Sequence, residues 1–147
     1  MPHGESPDLQ SCRFYREERL KHKKSIQQLF SEGNTKKFFP LALYFLKYEP
    51  ENFPFHKLLI SVPKKHFKKS VVRNKIKRRI REAYRQHKHL MYNKKGGLPF
   101  LLGYVYISKN VQSYKSIEEQ VINSIQYLLN NKKQRGICLK DATKILH

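Results

Sequence analysis

Acids are scarce in this chain. Eleven Asp and Glu stand against 31 Lys and Arg, for a formal net charge of +20 over 147 residues, and the only aspartates are Asp8 and Asp141, near the two ends. No cluster of carboxylates is available to hold two divalent metals, which excludes metal-dependent phosphodiester hydrolysis by the polypeptide itself. Cysteine is almost as rare: Cys12 and Cys138 lie near opposite ends, outside any CxxC spacing, so neither a zinc site nor a disulfide framework follows. No nucleophile elbow or phosphate-cradling glycine loop occurs. The seven histidines are scattered among basic residues, where a solvated side chain is the ordinary reading. No apolar run reaches 18 residues, which excludes a spanning helix, and the first 13 residues lack the apolar core of a secretion signal. A cytoplasmic binder is the expectation.

What the chain has is organised cation. Residues 64–95, KKHFKKSVVRNKIKRRIREAYRQHKHLMYNKK, carry nine Lys and five Arg against one acid, Glu82, or +13 of the total charge. From residue 70 to 89 the apolar positions Val72, Ile76, Ile80 and Ala83 recur at helical spacing and share one stripe. Arg73, Lys77, Arg81 and Lys88, with Asn74, Arg78 and Arg85, lie toward the other side of the helical wheel. A solvated helix usually mixes signs, because like charges at i,i+4 cost a few tenths of a kcal/mol each. The run Arg73, Lys77, Arg81, Arg85 is a like-charge ladder that phosphates would neutralise with release of counterions. Nucleic acid is the partner this pattern implies.

The remaining segments predict one α/β domain. Residues 1–14 read as a disordered tail. Residues 17–32, with Leu20, Ile26, Leu29 and Phe30, suit an amphipathic helix, and Gly33 offers a left-handed stop. Residues 38–48 read as a strand with Leu41, Leu43 and Phe45 on one face and Ala42, Tyr44 and Leu46 on the other. Pro50, Asn52 and Pro54 mark a turn, and residues 56–62 a second strand expected to pair antiparallel with the first. A basic loop, Lys64, Lys65, Lys68 and Lys69, feeds the cationic helix. Residues 93–99, with Gly96 and Gly97, are the next break, before a third strand over residues 100–108. Ser113 or Ser116 caps a last helix whose stripe is Ile117, Val121, Ile125, Leu128 and Leu129. The order is α-β-β-α-β-α over a single domain, residues 15–131. Residues 132–147 form a basic tail with a weak helical pattern.

The segment SVPKKHFKKSVVRNKIKRRIREAYR, residues 61–85, resembles the signature of the protein subunit of bacterial ribonuclease P, which carries an Arg-Asn-Arg motif in a helix following a basic loop. IQQLFxxG, the strand around Tyr44, the Leu-Ile-Ser-Val strand and SYxxIEE fall in the family's order, so the resemblance spans roughly residues 17–131. The third motif position here is Lys75, which keeps the charge and loses the bidentate fork of Arg. The resemblance implies an α+β, two-layer α/β sandwich with a small mixed sheet, one more short strand than the pattern above contains, and a left-handed βαβ crossover around the basic helix. It also implies that the partner RNA, holding Mg2+, cleaves precursor tRNA to give the mature 5′ end, with no cofactor and no catalytic residue on the protein. In that family the basic helix and loop hold the ribonuclease P RNA. Here they are Lys64, Lys65, Lys68, Lys69, Arg73, Asn74, Lys75, Lys77, Arg78, Arg81 and Arg85.

A cleft between the first helix and the sheet receives the single-stranded 5′ leader in the family, and its positions match Ile26, Phe30, Ala42 and Tyr44. Single strands are held by stacking on aromatics in a positive groove, which suits Phe30 and Tyr44. Plain core packing is the competing account of both side chains. Phe38, Phe39, Phe45, Tyr104 and Tyr106 are assigned to core or sheet surface. A ribosomal or ribosome-assembly protein is the alternative function, and the RNA recovered with the protein separates the two.

Overall fold

The computed structural model describes residues 13–50, 55–92 and 99–145, with side chains described as far as residue 130. A 3₁₀ turn, Arg16–Glu18, precedes helix α1 (Lys23–Glu32), and strands β1 (Asn34–Phe38), β2 (Leu41–Lys47) and β3 (Lys57–Ser61) follow. Helix α2 (Ser70–His87), the short α3 (His89–Tyr92), strand β4 (Phe100–Tyr106) and helix α4 (Tyr114–Ile145) complete the chain. The sheet order is β1-β2-β4-β3, antiparallel except for the parallel pair β3/β4, which α2 connects as a crossover.

Alternation along the strands makes two unequal faces. Leu41, Leu43 and Phe45 of β2 join Phe100, Leu102, Tyr104 and Tyr106 of β4 in the main core, where the buried stripes Ile76, Ile80, Ala83 of α2 and Ile117, Val121, Ile125, Leu128 of α4 cover them. Ala42, Tyr44 and Leu46 point the other way, toward α1. β4 lies between two neighbours and is buried at every position except Val105, which accounts for its unbroken apolar sequence. Ser113 provides the α4 cap: its Oγ accepts the Ser116 N–H at 3.2 Å.

Several expectations need correction. Residues 19–22 are not helical and residues 17 and 18 belong to the 3₁₀ turn, because Glu18 and Leu20 are drawn into the interior and the Leu20 N–H bonds the carbonyl of Leu58 beside β3. Gly33 ends α1 in extended backbone, φ −72° and ψ 163°, with no left-handed residue; a Cβ there would lie 2.2 Å from the Leu29 carbonyl oxygen. The strand expected over 38–48 is β2, which begins at Leu41, and a tight turn at Phe39 and Pro40 joins it to the strand the pattern missed, the polar β1. β3 does not pair with β2; β4 inserts between them. The basic helix stops at His87, and α4 continues as backbone helix through residue 145, beyond the end expected at 131. Phe14, assigned to the tail, packs edge-on against Tyr84 with ring centroids 6.1 Å apart. The breaks at 51–54 and 93–98 and the tail before residue 13 lie outside the described residues.

Two buried polar features stand out. Lys88 is fully buried, its Nζ 2.9 and 3.1 Å from the carboxylate oxygens of Glu18, which is buried as completely. The Tyr92 hydroxyl donates to the same carboxylate at 3.1 Å and accepts the His56 N–H at 2.8 Å, and the Tyr15 N–H donates to Glu18 at 2.9 Å. The rings of Tyr15 and Tyr92 each lie 5.5 Å from the Lys88 ammonium. The pair thus ties the N-terminal segment to the end of α2. The second feature is the Tyr84 hydroxyl, buried and without a hydrogen-bond partner among the described residues. An orphaned buried hydroxyl is a net cost, so Tyr84→Phe is expected to raise the urea midpoint, by about 1 kcal/mol of stability.

Candidate nucleic-acid interface

The cationic surface is built by α2 and the loop before it. Burial of Ile76, Ile80, Ala83 and Tyr84 fixes the rotation of the helix about its axis and leaves Asn74, Lys75 and Arg78 exposed, with Arg73, Lys77, Arg81 and Arg85 half-buried. Lys64, Lys65, Lys68 and Lys69 are all exposed at its N-terminal side. Arg73 bridges the two parts: its Nη1 donates to the carbonyls of Phe67, at 2.8 Å, and Lys68, at 2.9 Å, pinning the loop to the first turn of the helix. Phe67 anchors the loop from below, its ring 5.8 Å from that of Tyr106. Helix and loop therefore present one continuous charged surface.

Not every cation of the segment joins it. Lys88, assigned to the rail, is consumed by Glu18, because it keeps helical backbone at the C-cap and stands one turn beyond the buried Tyr84. Arg79 donates to the Gln112 carbonyl at 2.5 Å and braces α2 against the segment leading to α4. Arg85 chelates Glu82 through Nε and Nη2, at 3.0 and 2.6 Å. Hydrogen bonds from Arg85 and Gln86 hold the Glu82 carboxyl down at about 2, so this acid stays ionised and keeps Arg85 partly neutralised across the usable pH range. Lys64, Lys65, Lys68, Lys69, Arg73, Lys75, Lys77, Arg78 and Arg81 have no carboxylate beside them among the described residues.

On the opposite face of the sheet, α1 packs over β2 and β4, where the leader cleft is expected. Leu29 is buried against Gly103, where a Cβ would stand 3.1 Å from Leu29 Cδ2, 3.6 Å from Phe30 Cζ and 3.7 Å from Tyr44 Cβ. The absence of a side chain on Gly103 is what lets the helix sit this low. Phe30, 39% exposed, meets Tyr44 edge to face with centroids 4.7 Å apart. Ile26 is half-buried in the small cluster of Leu20, Leu29 and Leu101, and Ala42 is buried one step along the same face as Tyr44. The Tyr44 hydroxyl makes no hydrogen bond among the described residues. All four expected cleft residues thus share one surface, with Phe30 and Tyr44 in contact.

Gly103, Thr35 and Lys37 belong to this surface and were not foreseen from sequence. Thr35 is paired with Tyr44 and Lys37 with Ala42, so both lie on the cleft side of β1. β1 reads NTKKF, too polar for a strand pattern, and the resemblance's extra strand was the sole pointer to it. Among the described residues no three His, Cys, Asp or Glu side chains gather as a metal site, and no helix is long and apolar enough to cross a membrane.

Comparison with known proteins agrees with this architecture. The chain is 28% identical over 116 residues to the ribonuclease P protein component of Porphyromonas gingivalis, covering 78% of this chain and 85% of the relative. It is 32% identical over 111 residues to that of Clostridium botulinum, covering 76% and 94%. Its fold matches the ribonuclease P proteins of Thermotoga maritima, at TM-score 0.60, 23% identity and 75% and 96% coverage, and Staphylococcus aureus, at 0.59, 22%, 75% and 94%. The ribosomal alternative finds no support in these comparisons. The ribonuclease P family model matches residues 14–132, and the chain accordingly belongs to the ribonuclease P protein family.

Proposed function

We propose that this chain docks on the catalytic RNA of ribonuclease P through its basic loop and α2, and holds the 5′ leader of precursor tRNA in the cleft between α1 and the sheet. The observation that carries this reading is the separation of two surfaces on one small fold: a rail of exposed and half-buried cations on α2 and its loop, and the contact of Phe30 with Tyr44 between α1 and β2. The rail suits a structured polyanion, since binding there gains mainly from counterion release. Within it Arg73 is a positioning residue for the loop lysines, while Lys75 contributes a point charge. The cleft suits unpaired bases, which offer a ring face to stack on.

Cleavage itself we assign to the RNA. Mg2+ would supply charge stabilisation and an activated water there, and the sparse acids of this chain fit that division, with no carboxylate cluster among the described residues. The protein's own contribution is discrimination. A leader exists in the precursor and is gone from the product, so holding it strengthens substrate binding without keeping the mature tRNA back. Such a complex works in the cytoplasm, beside the transcripts it processes.

Tyr44→Ala tests the cleft. Precursor tRNA is expected to bind the reconstituted complex more weakly by about 1–3 kcal/mol, while mature tRNA and the catalytic RNA keep their affinities. Isotherms with leaders of increasing length, beside a melting curve of the variant, make the measurement. Equal losses for leader-bearing and leaderless RNA, with the melting temperature intact, would exclude the cleft as the leader site.

A further inference from the structure

The corner where β1 turns into β2 carries a second group of side chains suited to RNA. Phe39 is 62% exposed at the turn. One exposed aromatic is ordinary by itself, but this one has a charged and ordered setting. Lys36 turns to the core side of β1, its Nζ 5.6 Å from the Tyr127 ring, whereas Lys37 lies opposite Ala42 and so faces the cleft side. The Pro40 carbonyl, next to Phe39, accepts the Ile107 N–H at 2.8 Å and fixes the turn to the end of β4; Lys109, two residues further, is exposed. No Asp or Glu occurs between residues 33 and 48 or between 83 and 117. At about 3.4 Å per residue, Lys37 lies about 7 Å along β1 from Thr35, the partner of Tyr44, and Phe39 stands in the turn just past the strand's last residue, Phe38.

We propose that Lys37 and Phe39 form a second nucleotide site on the strand held at Tyr44, with Lys37 on a phosphate and Phe39 stacked on an unpaired base. The inference rests on the leader reading of the cleft and extends it along β1. Lys109 adds positive potential at the same corner. Paired RNA is a poor fit because its base faces are stacked internally, whereas a single strand leaving the Phe30–Tyr44 contact presents both a free ring face and a phosphate at this spacing.

The test uses reconstituted complex, a series of leader lengths, mature tRNA, and the variants Phe39→Ala, Phe39→Tyr and Lys37→Gln beside Tyr44→Ala. Phe39→Ala is expected to weaken long-leader precursor by about 5-fold or more, with no change for mature tRNA, and Phe39→Tyr to restore binding. Lys37→Gln should flatten the salt dependence by about one unit. The Phe39→Ala and Tyr44→Ala losses should multiply, since the two rings hold separate nucleotides. If Phe39→Ala and Lys37→Gln change nothing at any leader length while Tyr44→Ala shows its leader-specific loss, this inference fails and the cleft reading stands. Loss of mature tRNA to the same extent as precursor would also overturn it, and place the corner against the body of the tRNA or the catalytic RNA. If Tyr44→Ala has no leader-specific effect either, both readings fall.

Discussion

Lys88→Met should remove about 3–5 kcal/mol of stability, a large share of the roughly 5–15 kcal/mol that holds a domain of this size together. The cause is the carboxylate left behind: Glu18 is fully buried, and without the ammonium its charge has only the Tyr15 N–H and the Tyr92 hydroxyl to satisfy it. Adding Glu18→Gln should recover at least half the loss, because the amide keeps an acceptor for both donors and carries no charge. Urea unfolding of the two single variants and the double variant makes the cycle. Additive losses would show that the pair contributes through independent packing and that the charges are not coupled.

Reversing Arg78 and Arg81 to Glu should weaken assembly with the catalytic RNA by about 100-fold or more at moderate salt, given about 1.5–3 kcal/mol for each charge-assisted hydrogen bond removed. These two residues make the cleaner test, since Arg73 also secures the basic loop through the Phe67 and Lys68 carbonyls. The same reversal at the exposed Arg19 and Lys115 is the control. A slope of log K on log salt that falls by about two units in the double variant and not in the control identifies the phosphate contacts. Equal slopes would move the docking surface off α2.

Local pattern revealed the parts of this molecule whose cause is local. The stripes of α2 and α4 and the two faces of β2 follow from periodicity alone, since burial of Ile76, Val121 and Leu43 acts on each element separately. Two of the misreadings involve partners distant in sequence. Lys88, assigned to the rail, is internal because Glu18, 70 residues away, is there to receive it. β3 seemed ready to pair with β2, its neighbour in sequence, and pairs with β4, which arrives later with a more apolar surface to bury. β1 escaped notice because an edge strand with exposed Asn34, Thr35, Lys36 and Lys37 needs no apolar alternation. For the candidate site, charge exposed the rail, whereas the cleft residues were reached through the family resemblance; Gly103 and Lys37 emerged only when the strands were set in register.

The placement of β4 between β2 and β3 has a kinetic consequence. Leu58 and Leu102 are paired in register although 44 residues separate them, and the whole of α2 lies within that loop. Closing it is entropically costly, so the sheet cannot be completed by local steps. During synthesis β3 has no sheet neighbour until residue 106 has left the ribosome, and the cationic helix emerges while its apolar stripe still lacks the β4 surface it will cover. Completion of the core therefore waits on this one late strand.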